Sequence, residues 1–116
     1  MSKIQRLSTP YSYSAAVLAG SQVYLALHRG FADDFEGQCR GAIDGMQKTL
    51  EQFNLGIDSL VKVNVWLKNV SDLPTMEQIF HEYFAPGGFP ARMSATTQFF
   101  DADCLIMIDG VAFIEE

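Results

Sequence analysis

Leu60-Val61-Lys62-Val63-Asn64-Val65-Trp66-Leu67 alternates apolar and polar side chains, with a valine at every second position. A period of two describes a strand with one face toward a core, so Val61, Val63, Val65 and Leu67 point one way and Lys62, Asn64 and Trp66 the other. Segments of helical period flank it. Upstream, Cys39, Ile43, Met46, Leu50 and Phe53 recur at steps of three and four within 36–53 and form one apolar stripe. Arg40, Asp44, Gln47, Lys48 and Glu51 lie on the other side, and Asn54 and Gly56 end this helix. Downstream, Ser71 or Asp72 caps a second helix with Pro74 in its first turn. This helix is expected to bury Leu73, Met76, Phe80 and Phe84, with Ile79 and Tyr83 on its flank.

Further out, Lys3 to Leu7 reads as a short strand, broken by Ser8-Thr9-Pro10. Tyr13 to Ala19 and Gln22 to His28 form a hairpin about Gly20-Ser21. Arg29 to Phe35 is a loop with an acidic pair, Asp33-Asp34. Gly87-Gly88 and Pro90 stop the second helix, and Arg92 to Phe99 alternates as a strand. The turn Asp101-Ala102-Asp103 leads into a last strand, Cys104 to Ile114. The order predicts one α+β domain over 1–116: a mostly antiparallel sheet of five to six strands with two helices packed on one face. The other face, carrying Trp66 and Met107, is too apolar to be left in water, which predicts a homo-oligomer.

The 116 residues are 48% hydrophobic and 19% charged, the composition of a folded globular chain. The net charge of −6, with eight Lys and Arg and no basic cluster, argues against nucleic acid as a partner, because phosphate binding draws on such residues. No apolar run reaches the length of a membrane span. Met1-Ser2-Lys3-Ile4-Gln5 has no apolar leader core, so a cytoplasmic protein is expected. Cys39 and Cys104 read as buried reduced thiols; without a CxxC or a Cys/His pair at ligand spacing, neither metal nor cofactor is expected.

The run Phe89-Pro90-Ala91-Arg92 after the second helix resembles the RidA family, also called YjgF/YER057c/UK114. The resemblance covers nearly the whole chain. It takes in Leu60 to Asn69, Asp72-Leu73, Tyr83-Phe84 and the closing Ile106-Met107-Ile108-Asp109-Gly110-Val111-Ala112. It implies a chorismate-mutase-like fold and a homotrimer with clefts between subunits. It also implies a reaction, hydrolysis of enamine and imine intermediates such as 2-aminoacrylate to a 2-keto acid and ammonia. In that picture Arg92 holds the substrate carboxylate with its planar fork while a carboxylic acid and an ordered water act on the imine carbon.

Three positions depart from the active pattern. Active relatives carry a glutamate fifteen residues after the arginine, where this chain has Met107, which neither donates nor accepts a proton. A cysteine two after the arginine is Ser94 here. The glycine-bearing turn after the third strand becomes Ala26-Leu27-His28, so Leu27 narrows the pocket floor. Asp109 shares a strand face with Met107 and stands roughly 6–7 Å from it, close enough to supply a carboxylate from a shifted position; the bland alternative is a surface or interface acid.

Most of the remaining candidates carry more than one reading. Arg92 is a ligand anchor or the partner of Asp109 or Glu77. Ser94 shares its strand face and either lines the same pocket or is chosen for fit. Tyr11 and Tyr13 both match the cleft tyrosine that the resemblance implies, or pack in the hairpin. His28 is a pocket base or a solvent-facing strand end, and His81 lies on the polar side of the second helix. Glu77, where the family often has asparagine, pairs with Arg92 or a neighbouring subunit, or is solvated. The expected activity is imine and enamine deamination. The alternative is a weak or inactive homologue that binds small carboxylates such as 2-keto acids, and an endoribonuclease ranks below both.

Overall fold

Leu60–Leu67 is hydrogen bonded on both sides, so the stretch that alternates most clearly is a central strand. The computed structural model describes residues 3–115; Met1 and Ser2, on which the expectation of no leader partly rests, lie outside them, as does Glu116. In chain order the elements are β1 (Ile4–Ser8), β2 (Ser14–Ala19), β3 (Gln22–His28), α1 (Phe35–Glu51), β4 (Leu60–Leu67), α2 (Leu73–Tyr83), β5 (Ala91–Thr96) and β6 (Ile106–Phe113). Short 3-10 turns, Ile57–Ser59 and Val70–Asp72, precede β4 and α2. The six strands form one sheet in the order β1-β2-β3-β6-β4-β5, antiparallel except for the parallel pair β4/β5. A parallel pair needs a long crossover, and α2 is that crossover.

Both helices cover one face of the sheet. Val63, Val65 and Leu67 of β4, Ile106 and Ile108 of β6, and Val23 and Leu25 of β3 are buried beneath them. Cys39, Ile43, Met46 and Leu50 of α1 and Met76, Ile79 and Phe80 of α2 close the layer from above. Burial of each large apolar side chain contributes about 2 kcal/mol.

The chain departs from the simple patterns in four places. Val61 does not join the core: the register with β6 shifts between Leu60 and Lys62, Val61 is 51% exposed, and Leu60 takes the buried place. An extra residue in one strand reverses the facing of what precedes it. In α2, Ile79 is fully buried and Leu73 only partly, so the buried stripe is centred on Met76, Ile79 and Phe80. Phe53 lies beyond the end of α1, where Asn54 takes a left-handed φ of 61° and Leu55 N–H returns to Leu50 O at 3.0 Å. β5 and β6 are shorter than expected, ending at Thr96 and beginning at Ile106.

Gln38 is a buried polar residue within the apolar stripe of α1, and it earned no place in the periodic reading. Its Nε2 donates to Ala32 O at 3.0 Å and Asp103 O at 2.9 Å, and its Oε1 accepts from Leu105 N–H at 2.8 Å. One side chain thus ties the loop after β3 and the approach to β6 onto α1. Gln38→Ala is expected to lower unfolding free energy by about 2–4 kcal/mol in urea titration, since it strands buried backbone groups and opens a cavity.

Candidate functional site

Phe89 aims the start of β5. Gly87 takes a φ of 81°, Gly88 N–H closes a turn on Ala85 O at 2.9 Å, and Phe89 folds back against α2. Its ring meets the His81 ring edge-on at 5.0 Å between centroids and lies 6.4 Å from Phe84. β5 then pairs with β4 so that Arg92 stands beside Val63 and Ser94 beside Val65, on the helix-covered face. On this edge strand the Arg92 side chain reaches α2 rather than a buried core.

Arg92 Nη2 lies 2.8 Å from Glu77 Oε1, and its guanidinium carbon sits 5.5 Å from the Phe80 ring centroid. Glu77 Oε2 lies 3.5 Å from His81 Nε2. Glu77, Phe80, His81, Phe89, Pro90 and Arg92 line a recess of about 260 Å³. Of the two structural partners weighed for Arg92, Glu77 is the one present, and its solvated reading gives way to the ion pair. His81 lies on the polar side of its helix as expected, yet it borders the arginine recess, which helical periodicity alone does not reveal.

Ser94 shares the Arg92 face, but within one chain it opens on a different hollow, lined with Leu67, Val70 and Leu73. Two residues advance a strand by roughly 6–7 Å, and there the first turn of α2 lies overhead. Leu27 and Met107 occupy the opposite face. They line an apolar recess of about 290 Å³ with Trp66 and residues 97–100. Asp109 is also on that face, with both oxygens engaged: Oδ1 accepts from Asn64 Nδ2 at 2.9 Å and Oδ2 from Trp66 Nε1 at 3.3 Å. Within one chain, therefore, Asp109 does not meet Arg92, and its carboxylate secures the pairing of β4 with β6.

Tyr11 and Tyr13 lie in the bend before β2 with their rings stacked, 6.4 Å apart and 5° from parallel. Both are exposed, and neither borders the Arg92 recess of its own chain. Thr9 holds the bend, its Oγ1 donating to Tyr13 O at 2.6 Å and accepting from Tyr11 N–H at 3.2 Å.

His28 is neither a pocket base nor a solvent-facing strand end. It bridges β3 to α1, with Nδ1 2.6 Å from Ala26 O and Nε2 2.8 Å from Thr49 Oγ1. A carbonyl only accepts, so Nδ1 carries the proton and Nε2 accepts from the threonine hydroxyl. Periodicity does not single out Arg29, the next residue, which is also largely buried. Its side chain, 9% exposed, lies 3.2 Å from Asp101 Oδ2 and 3.5 Å from Asp103 Oδ2, beneath the Phe31 ring. The two aspartates of the expected turn were the available signal for a buried cation.

Burial raises both thiols, that of Cys39 to about 12, which leaves them protonated and unreactive near neutral pH. Among the described residues no group of three or more His, Cys, Asp or Glu is arranged to hold a metal ion.

A family model described as Endoribonuclease L-PSP matches residues 3–114. The chain belongs to this family, the RidA/YjgF family. A member of the yjgF family from Streptococcus pyogenes is 31% identical in sequence, covers both chains completely and superimposes with a TM-score of 0.90. A YjgF-family structure from Neisseria meningitidis, 18% identical over 97% of this chain and 96% of its own, shares the fold with a TM-score of 0.92. Among RidA/YjgF relatives, a RutC family protein of Pyrococcus horikoshii is 27% identical over 89% of this chain and 87% of its own. A Dermatophagoides farinae protein named 2-iminobutanoate/2-iminopropanoate deaminase is 26% identical over 99% of this chain and 100% of its own.

Burial holds the His28 pKa below its ordinary value of 6.5, with the Ala26 hydrogen bond opposing the shift. The unfolded chain therefore takes up this proton first as pH falls. The contribution of neutral His28 is complete above about pH 6.5 and declines as pH drops below it. Urea midpoints measured between pH 7.5 and 5 are expected to fall less for His28→Gln than for the native protein.

Proposed function

We propose that the protein hydrolyses reactive 2-imino acids and their enamine tautomers to 2-keto acids and ammonia, with Arg92 holding the substrate carboxylate. The observation that carries this reading is the guanidinium of Arg92, displayed on an edge strand above a recess of about 260 Å³, the size of an acid of a few carbons. Its present partner is a half-exposed side-chain carboxylate that a substrate carboxylate can replace. The names of distant relatives, deaminases at about 26% identity, point the same way. The fork also fixes the plane of the imine, since carboxylate and imine carbon are conjugated neighbours.

In the reaction, the enamine tautomerises to the imine, and water adds to the carbon of the N-protonated imine and loses a proton to give a carbinolamine. Collapse of the carbinolamine expels ammonia and leaves the carbonyl. Asp109, already bound by Asn64 and Trp66, is poorly placed to move these protons. Ser94 offers a hydroxyl on the Arg92 face, and Met107 offers nothing. Turnover then leans on the intrinsic reactivity of the imine. This specific arrangement favours, as the second reading, a homologue that binds small carboxylates such as 2-keto acids with little turnover.

The working unit in this proposal is a homotrimer. Arg92 and Ser94 face the helix side, whereas Leu27 and Met107 face the open side, so one chain cannot gather them. A second copy laying its open face along β5 closes a cleft from both sets, with Tyr11 or Tyr13 available at the rim. The open face supplies the driving force: Tyr24, Leu27, Met93 and Phe113 are each well exposed there. Sedimentation is expected to give three times the 12.9 kDa of the chain, and a monomer at micromolar concentration would refute the shared cleft.

Imine hydrolysis gives the direct test. With an amino-acid oxidase generating imino acids and semicarbazide trapping what survives, the native protein should lower the trapped product and Arg92→Ala should not. Loss of a charge-assisted fork on the substrate is expected to reduce kcat/KM at least about tenfold. Met107→Glu should raise the rate by about 10²-fold, the scale of general acid–base catalysis. A native protein inactive on several imino acids, yet binding 2-keto acids through Arg92, establishes the second reading instead.

A further inference from the structure

The recess around Arg92 already contains an anion. Glu77 Oε1 is 2.8 Å from the guanidinium, while Glu77 Oε2 faces His81 Nε2 at 3.5 Å. The apolar walls are Phe80, Phe89 and Pro90. An arginine fork with no acid beside it attracts any carboxylate, substrate and product alike. An arginine and a glutamate side by side make a site of opposite charges, and its complement is a molecule carrying a carboxylate and a cationic nitrogen on adjacent carbons.

We infer that Glu77 sets the specificity of the recess for zwitterionic ligands, the carboxylate of the ligand resting on Arg92 and its cationic nitrogen on Glu77. This inference rests on Arg92 as the carboxylate anchor. A 2-imino acid protonated on nitrogen, the form that water attacks, is such a zwitterion. The 2-keto acid produced from it carries only the carboxylate. Glu77 therefore attracts the substrate and opposes the product, and it closes on Arg92 again once ammonia has left. The two charges of the pair lie on opposite walls of one strand–helix seam, α2 for Glu77 and β5 for Arg92. A small ligand entering between them separates them without rearranging the backbone. His81 gives the displaced Glu77 carboxylate a neighbour on the far side.

Two stable probes of equal chain length test this: 2-aminobutanoate, with carboxylate and ammonium, and 2-oxobutanoate, with carboxylate alone. Ligand-detected NMR titration of the intact protein is expected to show a roughly three- to fivefold preference for 2-aminobutanoate, as suits a partly exposed ion pair. Glu77→Gln should tighten 2-oxobutanoate, weaken 2-aminobutanoate and so reverse the preference. A merely structural role for Glu77 would weaken both probes together and leave their ratio alone. Arg92→Ala should lose both. An unchanged ratio in Glu77→Gln, with both probes still lost in Arg92→Ala, overturns the role of Glu77 and leaves the anchor standing. Probes that bind equally well without Arg92, or not at all to the native protein, overturn the anchor and the inference with it.

Discussion

The parallel pairing of β4 with β5 is the constraint on which the site depends. It requires a crossover, which α2 supplies, and it lays that helix over the sheet edge where β5 begins. The register places Arg92 beside Val63, so the arginine shares a face with the core yet stands at its rim. From there its guanidinium reaches Glu77 and lies over the Phe80 ring, and Phe89 braces the turn that delivers it. A slip of one residue would turn Arg92 to the opposite face and remove the recess.

The same alternation divides the chemistry between two faces. Arg92 and Ser94 accompany Val63 and Val65 toward the helices; Met107 and Asp109 accompany Trp66 and Asn64 toward the open side. Within one chain these two sets open on opposite sides of the sheet. Asp109 lies on the open side with both carboxylate oxygens engaged. Its two oxygens accept from side-chain N–H donors on β4, Asn64 Nδ2 and Trp66 Nε1, so the carboxylate cross-links β4 to β6. Around Met107 the recess is mostly apolar, with Leu27, Trp66, Phe99 and Phe100 beside Thr97 and Gln98.

Polar residues inside the structure anchor the loops that frame these faces. Gln38, Arg29 and His28 come from α1 and the end of β3, and each ties one segment to another through hydrogen bonds or ion pairs. Each is partly or wholly removed from water, so its partners matter more than its exposure would suggest. Arg40 does the same between the helices, its two terminal nitrogens donating to the two Glu82 oxygens at 3.0 and 3.2 Å.

The sequence by itself determined the element order, the two-layer α+β arrangement and the face on which most residues lie, because periods of two and of 3.6 are local properties of the backbone. It determined that Arg92 follows a helix stop and lies at the start of a strand. It did not reveal the bulge at Val61, which depends on how β6 pairs with β4. Nor did it reveal that His28 faces Thr49, that Gln38 is buried, or that Arg92 meets Glu77 rather than Asp109. Those partners are far apart in the chain or belong to different layers, and only the packing of α1 and α2 on the sheet brings them within hydrogen-bonding distance. Periodicity assigns a side chain to a face; tertiary packing decides which groups on that face share a recess.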